Sequence, residues 1–427
     1  LIKLEEKTLR NIGVFLLLFG LAWCWAAPSL TTVDQYALAT PAREEVSLDR
    51  LSKYLCPRHY SETQKARSIF RWVADRIRYD VPALHSETLP SQEAEDVLRT
   101  RKAVCAGYSK LYEALAERAD LDVDYISGES PFNDQLPRLP KGVSGHGWNA
   151  VLLNGRWRLL DVTWAAGHLN EQGVFVKEFN DFWFCTPPEQ FVYSHLPKQE
   201  RWQLLSQPIS SGQFSAFPRL SGEFFRLGLK LPPGQLQPLR VSGEAKLWLE
   251  SPADVTGSAL LSNAQGKFLD QYTLTGWRAG RLETRLRCPQ AGKFKVQLYA
   301  GKKLKDDNSS TQTYRGVANY AIECQRGLDE PFPFTYGVFA RSEAELLEPD
   351  RGRLRAASLQ NFRVRFPEKS TIREVCLFSN HQVIGHLQLR QGVFQGQFRL
   401  PKSGKVQLSV GTDQARRYAH LLEYELR

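Results

Sequence analysis

The chain is missing most of the signatures that place a sequence quickly. No methionine occurs among its 427 residues, so translation is expected to start upstream or at another start codon. Seven cysteines stand at 24, 56, 105, 185, 288, 324 and 376, without a C-x-x-C pair. That spacing argues against a thioredoxin-like or zinc-ribbon protein, and no metal is expected. Neither G-x-S-x-G, H-E-x-x-H, a Walker loop nor a dinucleotide fingerprint occurs, so those enzyme classes drop out and no cofactor is expected. Zinc-finger, helix-turn-helix and RNA-recognition patterns are also missing, and nucleic acid is not an expected partner. The apolar run at 12–27 falls short of the roughly 20 residues that span a bilayer.

What is present describes a folded, basic protein. Hydrophobic residues make up 42% and charged residues 24%, which is ordinary globular composition. The length suits two or three domains. A formal charge of +10 favours encounters with anionic surfaces such as a cell envelope, without bearing on the fold. Lys3, Lys7 and Arg10 precede the apolar run, and the small residues Ala26 and Ala27 end it. Residues 1–27 therefore read as a signal peptide cleaved near Ala26 or Ala27, with a retained membrane anchor as the alternative. The protein is expected to be exported to a periplasm, envelope or extracellular space. Residues 28–45 read as a linker.

Hydrophobic period divides the rest. Ser61 with Gln64 forms a capping-box pattern, and Ala66, Ile69, Phe70, Val73 and Ile77 follow at helical spacing. A polar connection is expected from Tyr79 to Ala103. A second helix opens at Cys105, with Tyr108, Leu111, Tyr112 and Leu115 inward. From Val123 to about Val162 the period becomes two, and Asn154-Gly155 predicts a two-residue hairpin turn. Pairing across that turn sets Leu153 against Arg156 and, extended, His146 against Thr163 and Trp148 against Asp161. His146 and Asp161 then lie diagonally on one face. A Ser-, Pro- and Gly-rich stretch near 205–222 marks a boundary. The remainder shows strands without a convincing helix. Residues 288–293 and 400–405 resemble each other, each followed by Val-Gln-Leu (296–298 and 406–408). This predicts two similar β-sandwich modules, 206–326 and 327–427, in which Cys288 and Cys324 are available to pair.

A thiol nucleophile needs a base, and the base needs an orienting group. Cys105, His146 and Asp161 supply these in order. Cys105 stands at a predicted helix N-terminus, where the partial positive charge favours thiolate. His146 follows it far more closely than the roughly 130–150 residues of papain-type enzymes. Three motifs carry a resemblance: Arg101-Lys-Ala-Val-Cys-Ala-Gly-Tyr-Ser-Lys-Leu111, Gly145-His-Gly-Trp-Asn-Ala-Val151 and Trp157-Arg-Leu-Leu-Asp-Val-Thr-Trp164. Together with the tail from Phe184 to His195 and Trp202 to Leu205, they resemble the transglutaminase-like superfamily, most of all its kyphoscoliosis-peptidase branch and bacterial relatives. Ala103 and Gly147 depart from the family's usual residues but stay small.

The resemblance implies an α+β papain-like (transglutaminase-core) domain over 46–205, followed by two all-β immunoglobulin-like sandwich modules. It implies Cys105 as nucleophile, His146 as general base and acid, and Asp161 as orienter. The expected activity is that of a cysteine-dependent peptidase or protein acyl transferase working through a thioester on protein or peptide substrates. Trp148 and Trp164 are candidate substrate-binding residues. A non-catalytic binding or scaffold protein of the envelope, built on the same fold, is the alternative reading.

Overall fold

The computed structural model describes residues 29–427 apart from 85, 87, 131–144, 171, 236, 279, 304–311 and 412–417. The leader expected at 1–27 lies outside the described residues. Among the described residues no helix is long and apolar enough to cross a membrane.

The N-terminal third is α+β. Its long helix α3 (Glu62–Arg76) begins on the capping box read from Ser61 and Gln64, and Ile69, Phe70 and Val73 are fully buried. The expected linker is structured: α1 (Leu30–Leu38) packs on α3 and buries Val33 and Ala37, and α2 (Leu48–Leu55) follows. Arg67 of α3 explains why α1 docks. Its guanidinium, only 6% exposed, takes both carboxylate oxygens of Asp34 at 2.6 and 2.7 Å and also reaches Asp181. Asp34→Ala strands that buried cation on one remaining partner. Urea unfolding of the variant should show a loss of about 3 kcal/mol, whereas a linker position would show none.

The connection from Tyr79 to Ala103 is also more ordered than its polarity suggests. It holds α4 (Val81–Leu84) and α5 (Ala94–Thr100), with Val97 buried. The short strands β1 (Arg78–Tyr79) and β2 (Lys102–Ala103) then pair in parallel and lead into α6 (Cys105–Glu117). Tyr108, Leu111, Tyr112 and Leu115 form its buried face, as their spacing predicts. A four-stranded sheet packs on α6. Its spatial order is β5 (Arg156–Leu160), β4 (His146–Leu153), β3 (Val123–Glu129) and β8 (Leu196–Pro197). A further antiparallel pair, β6 (Gly167–Leu169) and β7 (Phe175–Lys177), lies between β5 and β8 in sequence.

Beyond residue 205 the chain is mainly antiparallel sheet, with short helices at Ser211–Ala216, Gly222–Arg226 and Gly337–Arg341 that the sequence pattern does not reveal. None exceeds six residues, too short to register as an apolar period. Separate apolar cores occupy 37–202, 220–324 and 332–424, the last also taking in Leu274. The repeat at 296–298 and 406–408 is structural. Each copy pairs with the final strand of its module, Arg315–Arg326 or Tyr418–Leu426. Each ladder also shifts register just after the repeat's leucine, at Leu298/Tyr299 and at Leu408/Ser409. A bulge at the same point in both copies favours similar modules over a chance match of letters. In the first module Leu239–Ser242 pairs in parallel with Arg315–Arg326, and Cys288 is bonded to Cys324.

Candidate active site

Cys105 is the first residue of α6. The preceding Val104 offers no side-chain cap, so the helix start is held from elsewhere: Gln92 Oε1 accepts the Val104 N–H at 2.9 Å. Gly107 is needed for that packing. A Cβ there would lie 2.6 Å from Gln92 Oε1 and 2.7 Å from the Ala103 side chain. The sulfur therefore sits at the positive end of a 13-residue helix, with free first-turn N–H groups beside it.

The imidazole comes from the hairpin. Asn154 and Gly155 both have positive φ (51° and 73°), and the register runs from Leu153 opposite Arg156 to Asn149 opposite Leu160 without a bulge. The ladder stops there. Residues 161–163 do not extend β5: Asp161 is the N-cap of α7 (Val162–Ala166), its Oδ1 accepting the Trp164 N–H at 2.9 Å. The expected facing of His146 with Thr163, and of Trp148 with Asp161, is thus replaced by a helix start, for which aspartate is among the preferred caps. The functional consequence survives the change. His146 Nε2 meets Asp161 Oδ2 at 2.6 Å, with both side chains buried.

A further residue, which no motif singled out for chemistry, completes this cluster. His195 Nε2 reaches the same Asp161 Oδ2 at 3.0 Å, and its Nδ1 lies 2.8 Å from Ser194 Oγ. A carboxylate only accepts, so both imidazoles donate to it through Nε2–H. His195 then accepts from Ser194 through Nδ1. For His146, Nδ1 is left free of Asp161, and Cys105 is close enough to the ring to help raise it. The only sequence signal for His195 is its place at the end of the family-like tail.

Charge is divided unequally between the two rings. Burial works against a charged His146, but the Asp161 carboxylate, their hydrogen bond and Cys105 outweigh it and raise the imidazole to about 10. Burial dominates at His195 and pushes it down to about 4. Asp161 is buried too, yet His146 and His195 hold its carboxyl well below the usual range. Native His146 thus keeps a proton that the unfolded chain releases near about pH 6.5. Stability should fall as pH rises from 6.5 towards 10, by up to about 1.4 kcal/mol per pH unit. His195 acts below that window, where its unfolded form takes up a proton that the native form refuses, so stability is lost as pH falls. Urea unfolding between pH 7 and 9 should therefore show a declining midpoint in the wild type. In His146→Gln the decline should disappear.

The two tryptophans part ways. Trp148 is fully buried, with its ring centroid 4.9 Å from His195 and 6.0 Å from Phe191, so it supports the site from beneath and offers no surface to a substrate. Trp164 stacks on His146 at 5.2 Å and lines a cavity of about 30 Å³ together with His146, Thr163 and Tyr79. Trp164, Gly167, His168 and Leu169 also border a larger cleft of about 790 Å³. Its far wall belongs to the first β module, at Glu223, Arg226 and Arg315. Arg315 spans the gap to Glu178 at 3.2 Å.

Known proteins resemble the chain over this region. The transglutaminase-like superfamily is matched over residues 50–162, which contain Cys105, His146 and Asp161. This stretch is a transglutaminase-like domain. Residues 212–335 match the KY-like, immunoglobulin-like domain. Kyphoscoliosis peptidase of Mus musculus is 29% identical over 291 residues, covering 67% of this chain and 42% of that protein. Hillarin of Drosophila melanogaster is 25% identical over 325 residues, covering 69% and 39%. The chain thus spans about two fifths of the length of these curated relatives. Among solved structures, a putative cysteine protease from Cytophaga hutchinsonii is 19% identical and covers 34% of this chain and 46% of its own, with a TM-score of 0.23.

Proposed function

We propose that the transglutaminase-like domain is a cysteine-dependent acyl enzyme acting on protein or peptide substrates in the cell envelope. The observation that carries this reading is His146, which engages Asp161 through one ring nitrogen and leaves the other for Cys105. In the reaction, Cys105 thiolate attacks a carbonyl carbon and forms a tetrahedral oxyanion, which the first N–H groups of α6 are placed to bind. Collapse breaks the C–N bond. The imidazolium of His146 passes its proton to the departing amine, and a thioester remains on Cys105. Water or a second amine then attacks the thioester, with His146 accepting the incoming proton; water gives hydrolysis and an amine gives transfer. Asp161 keeps the ring's tautomer and orientation throughout.

The cleft past Trp164, at about 790 Å³, has room for a stretch of polypeptide, and its charged far wall gives the first β module a part in holding it. Export is supported by the basic-then-apolar leader and by the Cys288–Cys324 bond, which suits an oxidising compartment. The net charge of +10 suits an anionic envelope surface. A second reading, a scaffold that binds polypeptides without turnover, is favoured by the small size of the cavity at His146.

The deciding experiment incubates the purified chain with a glutamine-rich peptide mixture, with and without a fluorescent primary amine, and quenches in acid. Mass spectrometry should find an acyl adduct on Cys105, with either shortened or amine-labelled peptides as products. Peptide retained by the protein without adduct or product would mean the scaffold.

A further inference from the structure

We propose that Glu374, Cys376 and His386, in the second β module, form a binding site for a transition-metal ion of the zinc class. The site would use one carboxylate, one thiolate and one imidazole, and it is independent of the catalytic triad.

Strand register brings the three together. On Val375–Ser379, Val375 and Leu377 face the module's core. The period of two turns Cys376 to the opposite face, together with Glu374 two residues earlier. Asn380 and His381, both at positive φ (47° and 63°), form a two-residue turn, and the chain returns as Gln382–His386. In that hairpin His386 is the direct cross-strand partner of Cys376. No sequence spacing announces this set, because the pairing passes through a register shift at Leu377/Phe378.

The three donor atoms already stand near the corners of a tetrahedral face. Cys376 Sγ is 3.2 Å from His386 Nδ1 and 3.5 Å from Glu374 Oε1, and the imidazole nitrogen is 3.0 Å from that same oxygen. Zinc bond lengths of about 2.3 Å to sulfur and about 2.0–2.1 Å to nitrogen and oxygen require edges of about 3.3–3.6 Å. Closure therefore needs shifts of only a few tenths of an ångström. Hydrogen bonding alone explains the arrangement poorly. His386 Nδ1 has at most one proton to give, yet it approaches both the sulfur and the oxygen. Glu374 Oε1 additionally receives the Tyr418 hydroxyl at 3.3 Å, so three groups converge on one oxygen. A single cation satisfies sulfur, nitrogen and oxygen together, displacing the thiol proton and any proton on Nδ1. Tyr418 then orients the carboxylate from behind, as outer partners of metal ligands do.

The donor set and its surroundings define the ligand. A thiolate with an imidazole selects a borderline ion such as Zn²⁺ or Co²⁺ over Ca²⁺ or Mg²⁺. Cys376 is buried, while the His386 and Glu374 side chains are 60% and 44% exposed. An ion enters from solvent between those two, and its fourth position faces water.

Cobalt titration of the chelator-stripped full chain tests this. At one equivalent it should give a thiolate-to-cobalt charge-transfer band with tetrahedral visible bands, and Zn²⁺ should abolish both. Cys105→Ala should retain the spectrum and Cys376→Ser should lose it. His386→Gln and Glu374→Gln should weaken binding by more than about 100-fold, the upper cost of losing even an outer partner. The half-exposed Glu374 serves as the check if Cys376→Ser fails to fold. Absence of the thiolate band in the wild type, its survival in Cys376→Ser, or undiminished affinity in Glu374→Gln would overturn the site.

Discussion

Asp161→Asn is expected to slow turnover by about 10⁴, the scale seen when the orienting carboxylate of a triad becomes an amide. Here the reason is a donor count. Asp161 Oδ2 accepts from both His146 and His195, while Oδ1 accepts from the Trp164 backbone. An asparagine has one acceptor oxygen for these two directions. If its oxygen faces the histidines, its NH₂ confronts the Trp164 N–H and the cap on α7 is lost. If its NH₂ faces the histidines, each ring loses its acceptor and His146 is free to take the wrong tautomer. The variant should also lose about 1–3 kcal/mol of stability from an unsatisfied buried group. Turnover measured beside urea unfolding separates the two effects, and normal turnover in a folded variant would remove Asp161 from the mechanism.

Cys105→Ala is expected to abolish both adduct formation and fast alkylation by iodoacetamide near neutral pH, with the fold retained. The other thiols provide the contrast. Burial pushes the Cys56 and Cys185 thiols up to about 12, so neither supplies thiolate at neutral pH. Cys376 is buried under its neighbours, and Cys288 and Cys324 are bonded to each other. Peptide mapping after a brief pulse of reagent should therefore recover label on Cys105 among the described cysteines. Equal early labelling of the wild type and Cys105→Ala would defeat the assignment.

The parts of this protein legible in its sequence are those encoded locally. The capping box at Ser61, the inward face of α6 and the turn at Asn154-Gly155 each rest on residues within one or two turns of one another, and each occurs as read. The hairpin brings the two strands together as far as Asn149 and Leu160, and the cap on α7 then sets Asp161 against His146. The misread parts depend on distant partners. α1 is a helix of nine residues whose docking rests on Arg67, 33 positions on from Asp34. Asp161 ends a strand because its carboxylate caps α7, and an alternating pattern cannot show that. His195 joins Asp161 across 34 residues, and Trp148 could not be told from a cleft residue until the rings around it were known.

The pairing of Leu239–Ser242 alongside Arg315–Arg326 has a mechanical side. Because the early and final strands of the first module run in parallel, tension along the chain slides them past each other. Their hydrogen bonds are then loaded together and do not open one at a time, as in a hairpin pulled from its ends. Cys324 lies opposite Val241 within this pair, and its bond to Cys288 locks the intervening loop. That loop, at a sequence separation of 36 residues, would otherwise add about 120 Å of slack. Under tension, the disulfide thus keeps the residues between Cys288 and Cys324 out of any extension of the module beside the cleft.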